Sequence, residues 1–88
     1  MTTQKFLALN WANMQVIEVN NTSGAALSQP LPAAPTTGQV ISVKDWGGNA
    51  GTYPITVLGN IDGVTNFVMN LNNQSITLYW DNIRWNLI

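Results

Sequence analysis

Between residue 40 and residue 88, five short runs of β-forming residues follow one another with gaps too short to hold a helix. They cover residues 40–43, 55–58, 67–71, 76–80 and 85–88, and each is bounded by Gly, Asn or Asp. In the fourth run Ile76, Leu78 and Trp80 alternate with Ser75, Thr77, Tyr79 and Asp81, which is the pattern of a half-buried strand. Phe67, Met69 and Leu71 alternate in the same way in the third. The connections carry turn signals. "GGNAG" at 47–51 offers residues that tolerate positive φ, and "DG" at 62–63 suits a primed two-residue turn. "NLNNQS" and "DN" at 81–82 mark two further reversals. The expectation is an all-β fold, a small antiparallel β-sandwich or β-prism-like module over residues 39–88, built from hairpins. Its core or subunit interface is expected from Ile55, Val57, Phe67, Met69, Leu71, Ile76, Leu78, Trp80, Trp85 and Leu87.

Residues 1–38 read differently. "TSGAALSQPLPAAPTTG" at 22–38 holds three prolines and six Ala or Gly residues, a composition that favours extended or polyproline backbone. Upstream, Leu7, Leu9 and Trp11 alternate as in a strand, although Leu7, Trp11 and Met14 also share one helical face. Val16, Ile17 and Val19 follow, and "NNTSG" closes the run with turn residues, which favours the β reading. Residues 1–38 are therefore expected as an N-terminal arm with a Pro/Ala-rich linker, anchored by Leu7, Leu9, Trp11, Leu27 and Leu31.

The chain has 88 residues and neither cysteine nor histidine. A domain of this size buries only roughly 60% of its unfolded surface and commonly needs disulfides, metals or association. Disulfides and thiolate or imidazole metal sites have no residues to form from, which leaves association. Charged residues make up 8% of the chain, about a third of the typical fraction, and twelve asparagines and nine threonines supply polarity instead. Such a surface is expected to be covered by a partner, including further copies of the chain. The net charge is −1, and Lys5, Lys44 and Arg84 are the fixed cations, so phosphate neutralisation cannot drive nucleic-acid binding. No apolar run reaches the length of a membrane span.

Catalytic groups are equally scarce. Serines 23, 28, 42 and 75 have no histidine to activate them, and Asp62 and Asp81 sit in turns where aspartate bonds its own backbone. No catalytic, metal or cofactor site is expected. Trp46 and Tyr53 flank the Gly-rich loop and either cap the sheet or face a ligand, such as a sugar ring. The loop lacks both the spacing and the following helix of a phosphate-binding loop.

The stretch "VKDWGGNAGTYPITVLGNIDG", followed by "NLNNQSITLYWDNIRWNLI", resembles a small β module of tailed-bacteriophage virion proteins. The matching positions are Asp45, Gly48, Asn49, Ala50, Pro54, Ile55, Thr56, Val57, Ile61, Asp62, Gly63, Ser75, Leu78, Tyr79, Trp85 and Ile88, within residues 38–88. Trp46 and Trp80 stand where that module often has smaller or different residues. The resemblance implies a homotrimeric structural protein of a virion: a capsid decoration or cement protein whose arm, residues 1–38, binds the shell or an adjacent subunit, with the major capsid protein or another virion protein as partner. Alternatives are a tail fibre, spike or baseplate component, and a carbohydrate-binding module using Trp46 and Tyr53.

Overall fold

The computed structural model describes residues 14–88. Seven strands form one curled, mixed sheet, and no helix occurs among the described residues. They are β1 (Gln15–Val19), β2 (Leu27–Pro30), β3 (Val40–Asp45), β4 (Ile55–Ile61), β5 (Val64–Met69), β6 (Ser75–Trp80) and β7 (Trp85–Leu87). The order is β1-β3-β6-β7-β4-β2, with β5 on the other edge of β4.

The hairpin expectation holds for β4 and β5, which turn through Asp62 and Gly63, both at positive φ (53° and 83°). β3 with β6, and β6 with β7, are also antiparallel. The wholly antiparallel sheet is corrected, because β1 pairs β3, β2 pairs β4, and β7 meets β4, all in parallel. The cause lies in the stretch read as an arm. Residues 15–30 form a strand–loop–strand that lies along a second one at 41–58, from Gln15 beside Ile41 to Pro30 beside Leu58. Each return from β1 to β3, or from β2 to β4, spans the long connection that parallel neighbours require. Leu27 and Leu31, expected as arm anchors for another molecule, pack against the chain's own core. Leu7, Leu9 and Trp11 lie outside the described residues.

In the core Ile41, Val43, Ile55, Val57, Met69 and Leu78 are fully buried. Ile76 and Trp85 are buried with them, and Phe67 and Trp80 pack against this cluster half-buried. Trp80 and Trp85 meet with ring centroids 5.4 Å apart and planes tilted by 55°, a favourable aromatic geometry. Leu71 and Leu87, expected in the core or at a subunit interface, lie outside the core of the single chain. β5 ends at Met69, so Leu71 falls in the following turn and is 64% exposed, while Leu87 sits on the short last strand and is exposed.

One irregularity shapes this end of the sheet. Between Val57 and Asn60 the β4–β5 register slips by a residue, a bulge that bends β4. Gly59 occupies it at φ 155°, and its N–H donates to Asn66 Oδ1 at 3.1 Å. A Cβ there would stand 3.4 Å from Leu31 Cδ1 and 3.6 Å from Trp85 Cδ1. The bend carries Ile61 past β2 to pair with Trp85.

Candidate functional site: the loops around Asp45

The strand directions bring three loops to one end of the sheet: residues 20–26, 46–54 and 70–74. Asp45, the last residue of β3, ties the second and third together. Its carboxyl group is fully buried. Oδ2 accepts hydrogen bonds from the N–H of Ala50 at 2.9 Å and of Asn73 at 3.0 Å. Oδ1 makes no hydrogen bond of normal geometry. Burial alone would push the carboxyl pKa up, but the backbone N–H groups of Ala50, Asn73, Asn49 and Gly48 outweigh it and hold Asp45 below the ordinary carboxylate range.

This arrangement explains what the Gly-rich loop is for. The N–H groups of this loop make a concavity suited to an anion, with Ala50 donating to a carboxylate oxygen of Asp45 and Gly48 to the main-chain carbonyl of the same residue. The anion is the chain's own Asp45. The loop's capacity for negative charge is therefore spent internally, as in a turn locked on a buried carboxylate.

Amide side chains complete the bracing. Gly51 N–H donates to Asn72 Oδ1 at 2.8 Å, and the Lys44 ammonium donates to the Asn73 carbonyl. Asn49 Nδ2 donates to the Asn21 carbonyl at 3.0 Å, while Gly47 N–H donates to the Val19 carbonyl at 3.1 Å. Asn21 is itself buried: its Oδ1 accepts from the N–H and hydroxyl of Ser23, and its Nδ2 donates to the Ala25 carbonyl. Asn73 takes a left-handed conformation at φ 64°, tolerable for asparagine. The doublets Asn20–Asn21 and Asn72–Asn73, in turn-rich sequence, were the available signal for these roles. Nothing in their spacing showed that they would face one another.

The two flanking aromatics separate. Trp46 is 59% exposed at the loop's rim, whereas Tyr53 is half-buried, with its N–H donating to the Asn49 carbonyl at 2.7 Å. Asp62 and Asp81 lie at the opposite end. Asp81 Oδ1 accepts from the N–H groups of Ile83 and Arg84, both at 2.8 Å, and Asp62 Oδ1 accepts from Leu87 N–H at 3.3 Å. The Asp81 carboxylate holds its own turn, whereas that of Asp62, expected to do the same, reaches across to β7. Among the described residues, no group of three or more His, Cys, Asp or Glu comes together as a metal site would need.

No family model matches the chain, and no curated protein matches it either.

Proposed function

We propose that this chain is a non-catalytic structural protein of a bacteriophage virion, most specifically a capsid decoration protein that works as a homo-oligomer, a trimer of β-sandwich-like or β-prism-like modules. The observation that carries this reading is the role of Asp45, Gly48, Asn49 and Ala50. These are among the residues by which the chain resembles the virion module, and here they close a loop upon a buried carboxylate. A motif spent on framework is what a structural unit requires.

Two further features support it. Apolar side chains stand exposed well away from the core, with Ile83 at 74% and Leu71 at 64%, on a chain with little charge to deter association. Among the described residues β1, β2 and β5 each pair with a single strand, so each has an edge without a strand partner there. The partners on this reading are further copies and the major capsid protein, with no role for nucleic acid, membrane or cofactor.

Light scattering on the purified full chain, followed by co-sedimentation with undecorated capsids, tests the reading. A trimer that pellets with capsids in stoichiometric amount supports it. A monomer that stays in the supernatant overturns it, and pelleting with isolated tails alone moves the protein to a fibre or baseplate.

A further inference from the structure

The rim beside the Asp45 loop carries an exposed tryptophan. Trp46 is the most exposed of the described tryptophans, since Trp85 is buried and Trp80 packs on the core. It is also held on a fixed base. Its own N–H donates to the Lys44 carbonyl at 2.9 Å, Gly47 is bonded to Val19, and Gly48 N–H donates to the Asp45 carbonyl at 3.3 Å. A large apolar ring in water is thus carried on a backbone that does not have to be ordered when something binds.

Two exposed amide side chains flank this segment. A Cβ on Gly47 would lie 3.0 Å from Asn20 Oδ1, and a Cβ on Gly48 would lie 3.1 Å from Asn73 Oδ1. The missing side chains at 47 and 48 are what allow Asn20 and Asn73 to close in on either side of the backbone that carries Trp46. Neither amide side chain makes a hydrogen bond among the described residues. The nearby charges are already engaged or enclosed: Lys44 donates to Asn73, and Asp45 is buried.

We propose that this rim binds a neutral sugar ring. The indole of Trp46 stacks on the C–H face of the pyranose, and the amides of Asn20 and Asn73, each both donor and acceptor, bond its hydroxyls. A flat apolar face beside uncharged amides matches a polyhydroxylated ring. A nucleobase would also stack, but the phosphates attached to it meet a chain of net charge −1. The inference stands on the loop alone and is independent of whether the protein decorates capsids.

The test is a titration of the isotopically labelled full chain with maltohexaose, cellohexaose and chitotriose, followed by amide and indole N–H resonances. Saturable shifts of the Trp46 indole and of the Gly47, Gly48 and Asn73 amides with at least one glycan are expected. Trp46→Ala should weaken that binding roughly tenfold or more, about 1.4 kcal/mol, while Trp46→Tyr retains part of it. Ile83→Ala, exposed at the opposite end, should leave it unchanged. Thermal melts matching the parent protein show that each variant is folded. Silence with all three glycans, or shifts that survive Trp46→Ala, overturns the proposal.

Discussion

The two ends of the sheet are held by different forces. At the Asp45 end, loops are fastened by a buried carboxylate and by asparagine side chains reaching from one turn to the next. At the other end, Trp80 packs its ring at a tilt against the buried Trp85, Leu31 lies beside the Gly59 bulge, and a two-residue turn reverses the chain. The first kind of fastening depends on direction and ionisation, the second on volume. An 88-residue chain without disulfides thus rigidifies its long loops by polar contacts that cost little burial, and reserves its large apolar side chains for where strands converge.

The contrast should be visible in mutants. The largest effect is expected at the aromatic end: Trp85→Ala opens a cavity in a fully packed site and should cost about 3–5 kcal/mol by denaturant unfolding, enough to unfold much of a marginal domain. Asp45→Asn should cost about 2–3 kcal/mol, because its amide oxygen accepts the Ala50 and Asn73 N–H groups without a charge and its NH2 group is buried where Oδ1 has no partner. Gly48→Ala should cost about 1–2 kcal/mol, since a Cβ is unfavourable in the left-handed region. The φ of 73° and the Asn73 oxygen 3.1 Å away both act against it. Trp46→Ala, at an exposed rim, should stay within about 0.5 kcal/mol of the parent. A ranking that put Asp45→Asn below Trp46→Ala would remove the distinction between the two ends.

Acid should discriminate between them too. The folded-state pKa of Asp45 is depressed, so its contribution is present above the unfolded carboxylate pKa and is lost as pH falls through the folded value. Unfolding midpoints measured from neutral to strongly acidic pH should therefore converge for the parent and Asp45→Asn, while the gap between the parent and Trp85→Ala persists. Parallel curves for parent and Asp45→Asn would mean that the carboxylate does not stabilise the loops.

Much of the sheet was legible because period-two alternation and turn residues are local signals. The five runs from residue 40 onward correspond to β3 through β7, and the Asp62–Gly63 turn lies where its dipeptide places it. Errors arose where pairing is not local. β2, "LSQP", is four residues with a proline and no alternation to distinguish it from a linker, and it is a strand because Ile55–Leu58 lies beside it. The parallel register of β1 on β3 depends on two loops of compatible path, which no window of sequence displays. Leu71 continued the alternation of Phe67 and Met69 on paper, yet Gln74 Oε1 accepts from the N–H groups of Asn70 and Leu71 and turns the chain first. At the candidate site, Trp46 and Tyr53 looked equivalent as flanking aromatics, and only the fold turns one outward and half-covers the other. The role of Asp45 has no local signal, since the donors to its carboxylate come from Asn73, far along the chain, as well as from nearby Ala50.

The most direct measurement is the titration of the Asp45 side-chain carboxyl carbon by NMR, with the Ala50 and Asn73 amide protons followed in the same samples. A midpoint below that of an ordinary aspartate, with both amides moving in step, is the predicted result. A midpoint at or above the ordinary value, or amides indifferent to it, would contradict a loop locked on its own carboxylate.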